Sequence, residues 1–267
     1  MRNVDVIVVS YNSARFLPRL AESLKQFDRL STVSIVDNDS SDDSVEVARM
    51  LDWGAPHYVS ALGTNVGFGA AINQGAFAGN LTGTKLLVVN PDVAISRGTL
   101  EALSDDLDSI PNLAAVGAVL STAAGQPVSS GRRFPSPSLI ARRTVYEIAH
   151  EGTLMAVDWV SGALMLWDRA AFTSVGGFSK SFFLYYEDVD ICQTARSLGW
   201  SVMIDGRHGA VHDQGHGKPT SALLRRESRK SRRRYARKWY GFRGLLAASV
   251  ADCLDAAARV HHKVRGL

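Results

Sequence analysis

The fold is decided near the start of the chain by the stretch Val4-Asp5-Val6-Ile7-Val8-Val9-Ser10-Tyr11-Asn12. Nearly every position from Val4 to Val9 is Val or Ile, which predicts a strand that is buried on both faces. The polar segment Ser10-Tyr11-Asn12 predicts a loop, and apolar residues at helical spacing from Arg15 to Phe27 predict a helix after it.

The alternation of strands and helices continues through the first half. Further strands are predicted at Val33–Val36, His57–Val59 and Lys85–Val89. Ser40 and Ser41 are expected to cap a helix that begins at Asp42, and another helix is expected between the glycine-rich run Gly63–Gly69 and Ala78. Such alternation predicts an α/β protein with a parallel sheet and helices on both of its faces.

Polar clusters stand at the ends of three predicted strands. They are Ser10-Tyr11-Asn12, Asp37-Asn38-Asp39 and Asn90-Pro91-Asp92. Because ligands of parallel α/β sheets bind beyond the carboxyl ends of the strands, these clusters are expected to form one binding site.

The second half of the chain is less regular. Residues Ser121–Ser138 are rich in Ser, Gly and Pro and predict a long loop or lid. The remaining elements are predicted as strands at Val157–Trp167, Ser201–Ile204 and Ala210–His212, and as helices at Arg169–Val175 and Glu187–Leu198.

Composition indicates an ordinary globular protein of 267 residues, with 46% hydrophobic and 21% charged residues. No apolar stretch approaches the roughly 20 residues that span a bilayer, and no signal peptide is expected. Cys192 and Cys253 lack metal-type spacing and fit a reducing compartment. We therefore expect a cytoplasmic protein.

The net charge of +4 is a local feature of the C-terminal part. Arg225–Lys238 contains nine basic residues and one acid, and the remaining 21 basic and 25 acidic residues give the rest of the chain a charge of −4. A general nucleic-acid-binding surface is therefore excluded. The aromatic and apolar residues that follow favour docking of residues 225–246 on the inner face of an anionic membrane, although a helix that packs against a second subunit of a homodimer would have the same pattern.

Asp92 is a candidate ligand of a hard cation. It follows a buried strand and the stiffening Pro91, and Mg²⁺ or Mn²⁺ commonly takes one or two protein carboxylates beside substrate phosphates. Asn, Pro and Asp also favour turns, and the cluster by itself favours a simple turn. His212, in a polar loop after a strand, is a candidate second ligand or phosphate contact.

The segment from Phe182 to Asp190 brings three acids directly behind aromatic and aliphatic residues. An apolar surrounding raises the proton affinity of a carboxylate, which suits a general base. The acids also fit the first turn of a helix, where negative charge is favourable. The run Gly63–Gly69 matches neither the dinucleotide fingerprint nor the P-loop, and its glycines allow a tight turn or a close approach to a ligand.

Five segments occur in an order that resembles glycosyltransferase family 2, the inverting enzymes of the GT-A fold. They are Val6–Asn12, Val36–Ser40, Asn65–Gly69, Asn90–Val93 and Tyr186–Asp190. The segments Trp159–Ala163, Val175–Phe178 and Phe183–Asp190 resemble the bacterial rhamnosyltransferase branch. The resemblance implies a Rossmann-like, mostly parallel sheet flanked by helices. It also implies a glycosyltransferase domain at 1–217, with a nucleotide-sugar-binding half at 1–120 and an acceptor and catalytic half at 121–217, before a basic helical extension at 218–267.

The resemblance further implies a role for each candidate residue. Asp188 would be the general base with Glu187 in support, and Asp92 and His212 would hold a divalent cation, Mg²⁺ or Mn²⁺. The nucleotide-sugar site would consist of Ser10, Tyr11, Asn12, Asp37, Asn65, Gly67, Asn90 and Asp92. The family's Asp-x-Asp motif has Asn90 in place of its first acid, which leaves Asp92 as the one obvious carboxylate ligand.

These roles predict an inverting transfer, with dTDP-L-rhamnose as the donor and a hydroxyl of a lipid-linked or cell-surface polysaccharide as the acceptor. Two alternatives stay open from the sequence. One is a galactofuranosyl or other hexosyl transferase that uses a UDP-sugar. The other is a catalytically silent, membrane-associated binding protein of the same fold.

Overall fold

The computed structural model describes residues 3–79, 81–128, 130–145, 152–213 and 221–265, with side chains described up to residue 258. The strands are β1 Val4–Ser10, β2 Leu30–Asp37, β3 His57–Ala61, β4 Lys85–Val89, β5 Val93–Ile95, β6 Leu113–Ser121, β7 Pro127–Val128, β8 Gly131–Arg132, β9 Leu154–Ala156, β10 Trp159–Val160, β11 Leu164–Asp168 and β12 Ser201–His212. The helices are α1 Leu17–Lys25, α2 Ser44–Met50, α3 Phe68–Ala76, α4 Arg97–Ser109, α5 Pro137–Arg142, α6 Arg169–Ser174, α7 Glu187–Ser197 and α8 Ala222–Arg265.

One large sheet has the strand order β3-β2-β1-β4-β11-β6-β12-β5. The first four of these strands are parallel, as predicted. Strand β11 is antiparallel to both of its neighbours, β12 is parallel to β6, and β5 is antiparallel to β12. The predicted α/β class is confirmed, with a mixed second half of the sheet.

Burial of both faces of the sheet follows from the sequence of β1. Its residues alternate between two cores, so that Ile7 and Val9 contribute to one and Val6 and Val8 to the other. Helices α1 and α4 cover the core of Val6 and Val8, while α3, α6, α7 and α8 cover the core of Ile7. The prediction of helices on both faces is therefore confirmed.

The structure corrects three predictions in the second half. Residues 121–138 are not one loop, because they contain β7 and β8. Strand β7 pairs with β6, and β8 pairs with β10. The predicted strand Val157–Trp167 is divided into β10 and β11 by a turn at 161–163, and the two strands join different sheets. The strands predicted at 201–204 and 210–212 form one strand, β12, with a register shift between Asp205 and Gly209.

The predicted cap of α2 is also wrong. This helix begins after Asp43, with no side-chain cap. Ser40 instead donates its hydroxyl and its backbone N–H to Asp37, and Ser41 donates to Asn12. The two serines are therefore used to tie the loop after β2 to the ends of β1 and β2.

Helix α8 contains a reversal at Gly241, where φ is 57° and ψ is −135°. Arg232 in its first half forms ion pairs with Asp252 and Asp255 in its second half, and Arg233 also pairs with Asp252. The element is therefore a hairpin of two helices that are held together by these pairs. A Cβ atom on Gly244 would lie only 2.0 Å from the Ala236 carbonyl oxygen, so the halves meet closely at the reversal.

The first half of this hairpin packs directly on α7. The buried carboxylate of Asp190 accepts hydrogen bonds from Lys238 Nζ and Trp239 Nε1, both at 2.8 Å. Tyr235 is fully buried and bonds to Gln193. Because α7 also begins with Glu187 and Asp188, these contacts fix the position of the predicted base. The boundary predicted at 217/218 lies outside the described residues.

Among the described helices, none has both the length and the apolar character needed to cross a bilayer.

Gly67 joins the glycine-rich run to the segment before α7. Its φ of 88° lies in the region that favours glycine, and a Cβ atom there would lie 2.3 Å from the Phe183 carbonyl oxygen. The neighbouring Phe68 N–H donates to that same oxygen at 3.0 Å. The start of α3 is therefore in direct backbone contact with the segment that leads to Asp188.

Gly67→Ala is expected to lower the free energy of unfolding by about 1–3 kcal/mol more than Gly63→Ala does. Gly63 also has a positive φ, of 65°, but a Cβ atom there would meet nothing within 4 Å, so it controls for backbone strain alone. Urea unfolding of both variants measures the difference. Equal losses would contradict the close contact with Phe183.

Candidate active site

The ends of β1 and β2 form one hydrogen-bonded corner. The Asn38 N–H donates to the Ser10 carbonyl at 2.8 Å, and Asn12 accepts from the N–H of Ser41 at 2.8 Å. The side chains of Ser10 and Asp37 are buried beneath these loops, whereas Tyr11 is 52% exposed. Tyr11 is thus the aromatic side chain of this corner that can meet a ligand from solvent.

The glycine-rich run is tied to this corner through Asn38 and Asn65. Asn38 Nδ2 donates to Asn65 Oδ1 at 3.0 Å, and Asn38 Oδ1 accepts from the N–H of Val66 at 2.9 Å. Asn65 Oδ1 also accepts from the N–H of Gly67 at 3.0 Å. The clusters predicted at 37–39 and 65–67 are therefore adjacent in the fold.

Asp92 and His212 meet at the other end of the site. Asp92 Oδ1 lies 3.3 Å from His212 Nε2, and the N–H of Asp213 donates to the Asp92 carbonyl at 2.9 Å. His212 is the last residue of β12, and its side chain is buried. Asn90 Oδ1 is buried without a hydrogen-bond partner among the described residues.

Asp188 is positioned by backbone N–H groups. Its Oδ2 accepts from Gly162 at 3.1 Å, and its Oδ1 accepts from Val189 at 2.9 Å. The next residue after Gly162, Ala163, accepts from the N–H of Asn90 at 2.9 Å. The turn between β10 and β11 therefore links the first turn of α7 to the segment that contains Asp92.

Both acids at the start of α7 bind protons more strongly than ordinary carboxyls. Burial, together with the neighbouring Asp188 charge, raises the pKa of Glu187 to about 8. Burial also raises the pKa of Asp188, although the N–H groups of Gly162 and Val189 and the charge of Arg132 oppose this rise. Burial raises the pKa of both acids, so at neutral pH the pair carries less negative charge than two ordinary carboxyls would.

A cavity of about 350 Å³ opens beside these two acids. Four arginines line it together with aromatic and aliphatic side chains: the neighbours Arg132 and Arg133, then Arg143, and Arg232. We call it the arginine cavity. It is large enough for a small polar ligand, since ligand pockets typically measure about 300–1,000 Å³.

The chemistry of Asp92 and His212 fits a divalent cation whose other ligands come from a diphosphate. Mg²⁺ typically binds through one or two protein ligands, substrate phosphates and water. Within the described part of the chain no group of three or more His, Cys, Asp or Glu side chains could enclose a metal. A fully protein-built metal site is thus not formed by these residues.

Residues 5–161 match the model of Glycosyl transferase family 2. The match spans more than half of the chain. The chain belongs to this family. The matched range includes the corner at β1 and β2, the glycine-rich run and Asp92, while Glu187, Asp188 and His212 lie beyond it.

Two characterised sugar transferases are similar to this chain. It is 29% identical to an N-acetylglucosaminyl-diphospho-decaprenol L-rhamnosyltransferase of Mycobacterium tuberculosis, with 83% of each chain covered. It is 26% identical to a low-salt glycan biosynthesis hexosyltransferase of Haloferax volcanii, with 79% of this chain and 69% of that one covered. These similarities confirm the predicted resemblance to bacterial rhamnosyltransferases.

A solved structure confirms the fold. The mannosyltransferase of Pyrobaculum calidifontis, in complex with GDP-Man and Mn²⁺, superposes with a TM-score of 0.59 at 17% identity. The superposition covers 96% of this family 2 chain and 75% of the mannosyltransferase. The predicted GT-A fold is therefore confirmed, and the cation in that structure belongs to that protein.

Sequence patterns missed three features of this family 2 site. The N–H of Gly162 holds Asp188, yet Gly162 was conspicuous only as part of a family resemblance. The arginines of the cavity come from distant segments. Asp190 looked like a third acid of the site, but its bonds to Lys238 and Trp239 make it an anchor for α8. The sequence indicated only that Asp190 lies on the same helix as the candidate base, and it gave no sign of the contact with α8.

Glu187→Gln is expected to change the pH dependence of stability. The pKa of Glu187 is about 8 in the fold, against 4.5 for an ordinary glutamate, so the folded protein holds the extra proton between these values. Stability from this group therefore falls as the pH rises from about 4.5 to about 8. The Gln variant should match the wild type near pH 4.5 and become the more stable protein toward pH 8. Urea unfolding across this range tests it.

The matched control is Glu46→Gln on the exposed side of α2, which should keep the wild-type pH dependence. If the free energy of unfolding depends on pH in the same way in the wild type and in Glu187→Gln, the pKa of Glu187 is not raised in the fold.

Proposed function

We propose that this chain is an inverting glycosyltransferase in which Asp188 is the general base. The observation that supports this most is the link from Asp188 through the Gly162 N–H and Ala163 to Asn90. It brings a carboxylate with a raised pKa next to the segment of Asp92. Family membership supports sugar transfer as the reaction.

The base acts on the acceptor hydroxyl. A hydroxyl is a weak nucleophile near neutral pH, so Asp188 takes its proton while the oxygen forms a bond to the anomeric carbon of the donor. The bond from that carbon to the diphosphate oxygen breaks, and its electron pair leaves with the nucleoside diphosphate. One direct displacement inverts the anomeric centre. Glu187, protonated at neutral pH, adds no second negative charge beside the base.

The donor side is assigned to the strand ends. The corner for the nucleobase and the ribose is formed by Ser10, Tyr11, Asn12 and Asp37. Asn65 and the backbone of Gly67 lie next to this corner. Asp92 and His212 would hold a divalent cation, which stabilises negative charge on the leaving diphosphate when bound. Asn90, with a buried and unpartnered Oδ1, belongs to the same end of the site.

The proposed donor is dTDP-L-rhamnose, and the proposed acceptor is a hydroxyl of a lipid-linked glycan. The similarity to the mycobacterial L-rhamnosyltransferase supports both assignments. A UDP-hexose donor is the second candidate, which the similarity to the Haloferax hexosyltransferase favours. The two donors differ in their nucleobase, because thymine carries a methyl group that uracil lacks. The nucleobase pocket must therefore distinguish the two.

A panel of nucleotide sugars with Mg²⁺ or Mn²⁺ tests the proposal. We expect turnover of dTDP-L-rhamnose in preference to UDP-sugars, and tighter binding of dTDP than of UDP in calorimetry. Asp188→Asn should lower kcat by about 100- to 10,000-fold because it removes the proton acceptor. The acid limb of the wild-type pH–rate profile should lie above the usual range of Asp, because burial raises the Asp188 pKa.

Asp105→Asn is the control. Asp105 is an exposed acid on α4 that pairs with Arg29, and its variant should keep wild-type activity. Full activity of Asp188→Asn would overturn its assignment as the base. If no nucleotide sugar is bound or turned over, the chain is instead a silent binding protein of this fold.

We also propose that the second half of α8 docks on an anionic bilayer on the cytoplasmic side. Four exposed apolar residues recur there at every fourth position and so share one helix face: Phe242, Leu246, Val250 and Leu254. Exposed basic side chains, including Arg234, Arg237 and Arg243, precede or interrupt them. Apolar residues beside cationic ones complement an interface of acyl chains and anionic headgroups.

Phe242→Ser combined with Leu246→Ser should lower binding to phosphatidylglycerol vesicles by about tenfold or more, since each side chain loses roughly 1.5–3 kcal/mol of burial in the bilayer. Met50→Ser, which removes an 86% exposed apolar side chain on α2, should leave binding unchanged. Vesicle sedimentation measures both. If the double variant instead dissociates a dimer in light scattering, the stripe is a contact between two copies of this chain.

A further inference from the structure

The two residues directly before α7 have an unusual backbone. Tyr185 and Tyr186 have φ angles of 69° and 68°, in the left-handed region that residues other than glycine rarely adopt. In the described part of the chain, the other non-glycine residues with positive φ are Asn12, Asp39, Asn112 and Arg143. Asn and Asp tolerate this region because of their short polar side chains, whereas a bulky aromatic residue is strained there. Surrounding contacts must therefore hold the two tyrosines in this conformation.

Contacts from two helices hold this strained turn. Ser231 on α8 is fully buried, and its hydroxyl donates to the Leu184 carbonyl at 2.8 Å. The ring of Tyr186 packs on the ring of Tyr235, also on α8, with the centroids 5.2 Å apart. The carbonyl before that of Leu184 accepts from the first N–H of α3 at 3.0 Å. The backbone is thus fixed immediately before the two left-handed residues, once by α3 and once by α8.

One face of α8 contacts both α7 and the turn that leads into it. The residues that make these contacts recur at intervals of three or four and so share one side of the helix: Ser231, Tyr235, Lys238 and Trp239. The last three bond to Gln193 and Asp190 in the body of α7. Ser231 instead bonds to the chain that enters α7. The body of the base helix and its entry are therefore held separately.

The entry determines where Asp188 lies, because Asp188 is the second residue of α7. Its Oδ2 accepts from the Gly162 N–H at 3.1 Å, and a Cβ atom on Gly162 would lie 3.4 Å from Asp188 Cβ. The helix start is thus already in contact with that turn. A relaxation of Tyr185 or Tyr186 to negative φ would redirect the chain and draw the carboxylate away from Gly162. Both tyrosines also line the arginine cavity beside Asp188, so the same relaxation would reshape it.

We infer that Ser231 is a positioning residue for the general base. Its hydrogen bond to the chain before α7 keeps Tyr185 and Tyr186 in the left-handed conformation. That conformation keeps Asp188 at the Gly162 N–H. Because Ser231 is fully buried, it acts through the backbone and not on the substrates. The inference rests on the proposed function and adds a residue of α8, beyond the range matched by the family model, to the support of the base.

Ser231→Ala is expected to lower kcat about tenfold or more, since a displacement of about 1 Å at a catalytic group can cost roughly 100-fold. The assay follows release of dTDP from dTDP-L-rhamnose with Mg²⁺, in which water takes the place of the acceptor hydroxyl. UDP-glucose and UDP are used in parallel. Calorimetry with dTDP and UDP measures the donor site, and these affinities should not change because the donor residues lie at the strand ends.

Tyr185→Gly provides a rescue that a merely structural role of Ser231 would not give. Glycine adopts positive φ without strain, so the turn in this variant no longer depends on the bond from Ser231. Adding Ser231→Ala to Tyr185→Gly should therefore lower kcat only about twofold, against tenfold or more in the wild-type background. Comparison within the Tyr185→Gly background removes the effect of losing the tyrosine side chain itself.

Ser104→Ala is the matched control. Ser104 is also a fully buried serine on a helix, and its hydroxyl accepts from Lys85 Nζ at 2.9 Å and from Arg29 Nη1 at 3.1 Å. It belongs to α4 and not to the contact between α7 and α8. This variant should lose stability in urea and keep the wild-type kcat. Urea unfolding of every variant shows whether a loss of kcat reflects lost structure.

Three results would overturn the inference. They are a wild-type kcat in Ser231→Ala, an equal loss of kcat in both backgrounds, and a loss of dTDP or UDP affinity that matches the loss of kcat. The second would make Ser231 a structural residue only, and the third would assign it to the donor site.

Asp188→Asn separates these failures from a failure of the proposed function. If Asp188→Asn releases the nucleoside diphosphate as fast as the wild type, or the wild type releases none, the assignment of the base fails and the role of Ser231 fails with it. If Asp188→Asn is slow and Ser231→Ala is not, only the positioning role is refuted.

Discussion

The hydrogen bond from the Gly162 N–H to Asp188 Oδ2 is the constraint on which the site depends. Gly162 lies in the turn between β10 and β11, and its neighbour Ala163 is bonded to Asn90 after β4. A carboxylate on one helix is thereby set relative to the parallel half of the sheet. The same turn is tight: a Cβ atom on Gly162 would lie 3.4 Å from Asp188 Cβ and 3.3 Å from the ring of Phe68. A side chain on residue 162 would therefore contact both α7 and the glycine-rich run.

Around this bond the protein combines two environments of opposite polarity. The strand ends provide amides, hydroxyls and the Asp92–His212 pair, whereas the start of α7 is dry enough to raise the pKa of both its acids. The proposed metal-assisted leaving group and the proposed base need such different surroundings. Backbone contacts of Gly67 and Phe68 with Phe183 keep the two environments adjacent.

The sequence predicted the features that depend on local patterns. Val4–Ser10 and Lys85–Val89 were recognisable because buried parallel strands are mostly apolar. These strands are parallel neighbours in the sheet, so the polar clusters at their ends lie side by side, as expected. The sequence failed where distant segments decide the structure. Residues 161–163 separate β10 and β11, which belong to different sheets, and Ser40 bonds to Asp37 and does not cap α2. The basic segment was predicted to dock on a membrane or to pack on a second subunit. No local pattern indicates that Arg232 pairs with Asp252 within α8 or that Lys238 pairs with the buried Asp190.

The hairpin of α8 has a consequence for any attempt to shorten the chain. Tyr235, Ala236, Ala247 and Ala248 are part of the same core as Ile7 and Trp167, so this helix is not an appendage on a finished domain. A truncated protein that ends before Ala222 would expose α7 to water and leave the Asp190 carboxylate without its two donors. The smallest folding unit of this chain therefore includes its C-terminal helices together with their partners on α7.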